Sequence, residues 1–372
     1  MKLAWHNIAH DRVRFAATVL GIAFAVFLMI FQGSLLFGFL RAASKIVDST
    51  DADLWISARG VTCFDFPASL SRRFIEVSRG VSGIIGAGRI ITSFAEYRKP
   101  DGKHQLVALV GADPEVGRRF PVPRVNGSIT ALEPDGLLVD ESNTALLDLR
   151  ELPSDVEING RRARVTGTVA GFSSFLGSPY IFTSYTEATR YLRLGPEEAM
   201  YILLRLEPGY TAEQVRSQLR RRLPEVDIWT RAEFSRRSRL YWITQTGAGG
   251  GILIAAILGF LIGLVIVSQN IYATTMENLE EFATLKALGA SRWFIIRIVL
   301  MQALACGMAG SLLGVAATFP LVEAARNTIA WIYTPWWLPL VTIPPGLLMC
   351  GLASIISVRA ALLVEPARVF RA

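Results

Sequence analysis

The chain has 372 residues, 52% of them hydrophobic and 19% charged, with a formal net charge of +7 and a mean hydropathy of +0.39. It is too apolar for an ordinary soluble enzyme and too charged for a compact bundle of membrane helices, so the composition predicts a membrane part joined to a soluble part. Between residues 41 and 246 there are 28 Lys plus Arg against 25 Asp plus Glu; the excess positive charge lies elsewhere, and nucleic acid is not an expected partner.

Residues 1–14 place Leu3, Trp5, Ile8 and Ala9 among Lys2, Asn7, His10 and Asp11, a pattern that predicts a cytoplasmic amphipathic helix at headgroup level. His6 and His10 stand four apart as in some metal sites, but residue 7 is Asn and no further ligand is near, so no metal site is assigned. The uncharged run Phe15–Leu40 is longer than the about 7–15 apolar residues of a secretory signal, and residues 15–40 are read as a retained first transmembrane helix.

Residues 41–246 then form one large domain of mixed α+β type. "DADLWIS" is a strand and "PASLSRRFIEVSRG" a short helix; "GIIGAGRIITSFAEYRKPDGKHQLVALVGAD" is two strands turning at Pro100–Gly102. "VEINGRRARVTGTVAGF" reads as a hairpin turning at Asn159–Gly160, the pair that a tight two-residue turn favours. From Ala199 a strand–helix–strand rhythm returns through "MYILLRLE", "TAEQVRSQLRRRL" and "VDIW". Two halves, about 45–118 and 199–230, therefore flank a β-rich insert at about 119–198. "RAEFSRRSRLYWITQ" has a helical pattern that could continue into the next span. Only Cys63 falls in this domain, Cys306 and Cys350 being in spans, so no internal disulfide supports it.

Three further spans follow: 247–273, 293–321 and 344–363, separated by a turn at 274–292 and a Pro- and Trp-rich outer loop at 322–343. The last span is expected to start near Pro344 or Pro345, with 364–372 as a tail. Four crossings put both termini on one side. Lys2, Arg12 and Arg14, then Lys286, Arg292 and Arg297, then Arg359, Arg368 and Arg371 mark that side as cytoplasmic, with the large domain outside.

The turn carries the most unusual pattern, "ENLEEFATLKALGASRWF". Glu277, Glu280 and Glu281 precede Lys286, as a helix dipole favours, while Leu279, Phe282, Leu285 and Leu288 recur every third residue. Gly289 is placed to end that helix and Ser291 to cap the next. One reading is a helix lying on lipid; the other is a surface for a cytosolic partner. Small-xxx-small patterns at Gly259–Gly263 and Gly310–Gly314 suit close helix approach, either within the chain or at a dimer seam.

Other chemistry is missing from the sequence. The Gly102–Lys103 pair is followed by His104 and has no Gly at the position a phosphate loop requires, so no ATPase activity and no directly bound cofactor is expected. No Asp, Glu, Lys or Arg lies in the span cores, which argues against an ion-coupled carrier. No catalytic residues are assigned.

"EFATLKALGAS" followed by an apolar run resembles the FtsX-like, macrolide-exporter-type (type VII) permease family of ABC transporters, and the resemblance covers the whole chain. "LAWHNIAHDRVRF", "GIAFAVFLMIFQ" and "DADLWI" look most similar to its DevC-type heterocyst glycolipid exporter branch. The resemblance implies a plasma-membrane permease working as a homodimer, with a separate ABC ATPase that uses the ATP, a periplasmic adaptor and an outer-membrane channel. In that scheme Glu277, Glu281, Phe282, Leu285, Lys286, Leu288 and Gly289 form the ATPase-coupling turn. Motion would pass to the outer domain, where a lipid, glycolipid or other amphiphile is handled. The alternative is a regulatory relative that activates a periplasmic partner such as a wall hydrolase. The macrolide exporter's ATPase is fused ahead of its first span; here that span comes almost at once, so the ATPase is expected on another polypeptide.

Overall fold

The computed structural model describes residues 12–113, 126–127, 136–195, 198–277 and 279–363. Most of the expected amphipathic helix at 1–14 and the whole tail at 364–372 lie outside the described residues. The chain forms two units, residues 1–38 with 249–372, and residues 39–248.

Helix α1 covers Arg12–Asp48 and so runs past the expected end at Leu40. Arg41 ends the uncharged run without ending the helix. The last turns are held by polar bonds instead: Ser44 Oγ donates to Asp48 over 2.8 Å, and Arg239 reaches Ser44 Oγ and Asp48, each at 2.7 Å.

The large domain is built on β1 (Leu54–Ala58), β2 (Leu70–Ser71), α2 (Arg73–Arg79), β3 (Ile84–Arg98) and β4 (His104–Ala112). It continues with β5 (Asn126–Gly127), β6 (Gly136–Asp140), β7 (Ser154–Ile158), β8 (Arg161–Val169), β9 (Tyr180–Ser184) and α3 (Tyr185–Leu192). It closes with β10 (Glu198–Ala199), β11 (Tyr201–Leu206), α4 (Ala212–Arg222), β12 (Val226–Thr230) and α5 (Arg231–Thr244).

The main sheet has the order β12-β1-β11-β3-β4-β9-β6-β8-β5, with β7 pairing β3 and β8. Since β1 is antiparallel to both β12 and β11, and β11 to β3, the units β1–α2–β3 and β11–α4–β12 are interleaved split βαβ motifs. The segment between β3 and β11 interrupts them. The expectation of an insert beginning near residue 119 needs one adjustment. β4 already belongs to the interruption, because it pairs in parallel with β9 from Ala108↔Tyr180 to Ala112↔Ser184. The sheet is continuous through this junction, and one core spans it with Trp55, Ile90, Ala108, Val169, Phe182 and Tyr201, while two further cores are separate. Leu54, Ile56, Ile75, Ile202, Leu219 and Ile228 fill one core; Tyr97, Leu109, Leu137, Val165, Ile181 and Tyr191 fill another.

Capping fixes the two late helices. Thr211 and Gln214 make a reciprocal capping box at α4, and Thr230 and Glu233 make another at α5, each satisfying N–H groups that a helix start leaves open. α5 does not run on into the next span. Gly247 adopts φ +70°, a conformation that suits glycine, and the Thr246 hydroxyl donates to Trp242 O at 2.6 Å and accepts from Ala248 N at 3.3 Å.

The membrane unit continues with α6 (Ala248–Glu277), α7 (Leu279–Ala287), α8 (Arg292–Arg326) and α9 (Leu338–Leu363). Among the described residues, four helices are long and apolar enough to cross a membrane: Phe15–Asp48, Ala248–Ala273, Arg292–Arg326 and Leu338–Ile355. The last begins at Leu338, ahead of the expected Pro344, and takes Pro344 and Pro345 into its interior. Close packing supports it there: a Cβ added to Gly346 would lie 2.8 Å from Ser311 Oγ and 3.0 Å from Val26 Cγ2. The outer loop is correspondingly shorter, and it docks on α1. Tyr333 N donates to Ser34 O over 3.3 Å, Ser34 Oγ and Thr334 Oγ1 are 2.7 Å apart, and Trp337 meets Phe37 edge-on at 5.0 Å.

Candidate functional site

The turn between α7 and α8 is closed by its own backbone. Leu288 N donates to Thr284 O (3.0 Å), Gly289 N to Lys286 O (3.0 Å) and Ala290 N to Leu285 O (2.9 Å). Gly289 sits at φ +88°, the left-handed end that terminates a helix at little cost only for glycine. Ser291 is extended, and its hydroxyl accepts from Phe294 N at 3.3 Å to cap α8. The result is a helix–turn–helix whose angle is set by one glycine and one serine.

Its side chains divide into two sets. Ala283 is fully buried, and Leu285 packs against the cluster of Ile295, Ile298 and Val299, as does Val358. Lys286 and Ala290 are half-buried. Leu288, by contrast, is 80% exposed, as is Trp293 at 79%, and Phe294 is exposed beside them. Leu285 and Leu288 therefore do different work, although the three-residue spacing placed them on one stripe. Glu281 and Phe282 have helical backbone within α7 and Glu277 ends α6, but their side chains lie outside the described residues. Trp293 was not singled out in the sequence; the signal was an aromatic pair, Trp293–Phe294, in the first turn after a cap, where exposed positions are usually polar.

The glycine patterns have a specific geometry. A Cβ on Gly263 would lie 2.4 Å from Ala25 Cβ, one on Gly310 2.6 Å from Ile22 Cβ, and one on Gly314 2.5 Å from Ala23 O. All three meet α1, which nests Ile22, Ala25, Val26 and Ile30 in the core of the membrane unit. Gly259 is looser, its nearest contact being Leu28 Cβ at 3.7 Å.

The large domain contains a buried polar cluster that the sequence did not reveal. Asp65 accepts from Tyr180 Oη at 2.8 Å and from Trp242 Nε1 at 2.9 Å. Burial raises its carboxyl above the usual range against the opposing pull of those two bonds. Burial, and then the nearby Asp65 charge, push the Cys63 thiol up to about 11. Tyr201 donates to Phe64 O at 2.9 Å, so the β1–β2 connection is fastened to β9, β11 and α5.

Four apolar helices, with a large interrupted α+β domain between the first and second, define an integral membrane protein with one extracytoplasmic domain. The chain belongs to the MacB/FtsX family of ABC transporter permeases: the MacB-like periplasmic core domain matches residues 15–222, and the FtsX-like permease C-terminal domain matches residues 252–366. An uncharacterized ABC transporter permease of Mycobacterium tuberculosis is 25% identical over 343 residues, covering 90% of this chain and 88% of the relative. One from Mycobacterium bovis is 23% identical over 374 residues, covering 96% and 95%. Among solved structures, the periplasmic region of MacB from Actinobacillus actinomycetemcomitans aligns with 50% of this chain and 92% of its own length, at 14% identity and a TM-score of 0.41.

Proposed function

We propose that this permease transmits the ATP-driven motion of an ABC ATPase, carried on another polypeptide, to its extracytoplasmic domain, and that the α7–α8 turn is where the ATPase docks. The observation that carries the reading is the pair Leu288 and Trp293, both about four-fifths exposed around a turn rigidified by Gly289 and Ser291. Two large apolar side chains on a fixed turn are what a protein groove anchors. Lys286, Arg292 and Arg297 flank them, which favours the cytoplasmic side and puts both termini there.

The cargo reading is a lipid, glycolipid or other amphiphile taken from the outer leaflet or periplasm and moved outward. The span cores lack Asp, Glu, Lys and Arg, which supports handling outside the helices over passage between them. A homodimer, a periplasmic adaptor and an outer-membrane channel complete the proposed assembly.

The test is reconstitution of the purified chain in lipid with and without its ATPase. Turnover should be absent for the chain alone, appear with the ATPase, and rise further with an amphiphilic cargo and adaptor. Turnover by the isolated chain would overturn the division of labour; stimulation of a wall hydrolase without cargo movement would replace export by regulation.

A further inference from the structure

The β-rich part of the extracytoplasmic domain has a groove of about 410 Å³ lined by Asp155, Arg161, Arg162, Ala163, Arg164 and Arg190. Four arginines and one aspartate are thus among its lining residues. Two of the four are already matched: Arg164 approaches Asp155 at 3.8 Å, and Arg190 approaches Glu187 at 2.9 Å. Arg161 and Arg162 are exposed, and neither has a carboxylate at ion-pair distance among the described residues. The nearest candidate by register, Glu157 opposite Arg162, is turned to Arg98 at 3.2 Å. Among the described residues the groove therefore retains about two uncompensated positive charges.

The backbone holds these charges in place. Asn159 and Gly160 take φ +49° and +74°, the left-handed pair of a tight hairpin turn, which directs Arg161 and Arg162 into the start of β8. Asn159 also ties the turn to two neighbours. Its Oδ1 accepts from Glu96 N at 2.8 Å, and its Nδ2 donates to Tyr191 O at 3.0 Å. Tyr191 is fully buried, and Arg190 lies over its ring at 5.2 Å. The hairpin and α3, which supply the arginines, are thus fastened together at the residue next to the groove. Such preorganisation lowers the ordering cost of binding.

We propose that this groove is an anion site for a phosphate monoester group. Guanidinium groups suit phosphate because their planar N–H forks bond its oxygens in pairs. A phosphate monoester carries about −1.5 to −2 at pH 7, matching the two uncompensated arginines, whereas a diester supplies about one charge and a carboxylate one. The volume falls within the roughly 300–1,000 Å³ of small-ligand sites and suits a headgroup-sized moiety. The source is either a phosphorylated lipid headgroup or a soluble phosphorylated compound. The site does not depend on the docking proposed for the α7–α8 turn.

The test uses the full chain in a non-ionic detergent, titrated with inorganic phosphate and separately with dioctanoyl phosphatidic acid, and read by microscale thermophoresis. Native protein should bind saturably, and Arg161→Gln with Arg162→Gln should weaken binding at least about tenfold without moving the unfolding midpoint. The control, Arg220→Gln with Arg221→Gln on α4, removes the same charge elsewhere and should change affinity by less than about twofold. Saturation by phosphatidic acid without competition from inorganic phosphate assigns the lipid source; equal competition assigns the phosphate group itself. No saturable binding of either probe, equal loss in both double variants, or binding of a polyglutamate peptide alone would overturn the proposal.

Discussion

Tyr180 donates its phenolic hydrogen to Asp65 across 2.8 Å, and it does so in a site where both groups are buried. Trp242 supplies the second bond to the same carboxylate, so one side chain joins the β1–β2 connection to β9 and α5. Because burial raises the folded pKa of Asp65, the folded state holds this proton to higher pH than the unfolded chain. The contribution to stability is therefore full at low pH and is lost as pH rises from the ordinary Asp range through the raised folded value. Asp65→Asn should flatten that pH dependence while keeping both bonds, since the amide oxygen can accept from Trp242 and the amide nitrogen can donate to Tyr180. Asp65→Ala leaves two buried donors without a partner, at about 1–3 kcal/mol each. Thermal unfolding of the detergent-solubilised chain against pH, followed by tryptophan fluorescence, checks both; an unchanged pH profile in the Asn variant would refute the assignment.

The glycines of the membrane unit make a second, opposite pair of expectations. Gly310→Ala forces a Cβ to within 2.6 Å of Ile22 Cβ and 2.9 Å of Val19 O, and overpacking of this kind costs about 1–3 kcal/mol. Gly259→Ala meets only Leu28 at 3.7 Å, an ordinary contact, and should leave the unfolding midpoint in place.

Much of this was legible in the sequence, for definite reasons. Charge-free runs longer than the bilayer is thick identify spans whatever their neighbours do, and Asn159–Gly160, Gly289 and Ser291 stand at a turn and caps because local backbone chemistry decides those positions. The rest depended on contacts distant in sequence. Nothing near Ala108 foretells a parallel partner at Tyr180, so the continuity of the sheet across the insert was hidden. Nothing in the sequence marks Asp65, because its partners Tyr180 and Trp242 lie far along the chain. The stripe through Leu285 and Leu288 was visible, but only the fold of α8 and α9 decides which leucine is covered.

Topology can be checked with single cysteines. The native Cys63, Cys306 and Cys350 are all buried, so background labelling by an impermeant maleimide should be small. Ser217 on α4 and Ala287 at the end of α7 are exposed. On intact cells Ser217→Cys should label and Ala287→Cys should not, with both labelling after permeabilisation. The reverse pattern would invert the orientation that the Lys and Arg clusters imply.

The coupling reading is tested most directly by the two leucines of the turn. Leu285 packs against the cluster of Ile295, Ile298 and Val299, so Leu285→Ala opens a partly covered site and should lower stability by roughly 1–2 kcal/mol. Leu288 and Trp293 are 80% and 79% exposed and have little packing of their own to lose. Leu288→Ala with Trp293→Ala should therefore leave the unfolding midpoint and membrane abundance unchanged. If these side chains seat in a groove on the ATPase, capture of that subunit should fall at least about tenfold, equivalent to about 1.4 kcal/mol. A loss that appears in Leu285→Ala and not in the Leu288/Trp293 pair would mean that the turn matters through its own stability. Unimpaired capture and unimpaired ATPase stimulation in the double variant would leave Leu288 and Trp293 as a membrane-rim anchor, because an apolar side chain resting on lipid loses little transfer free energy specific to a protein partner.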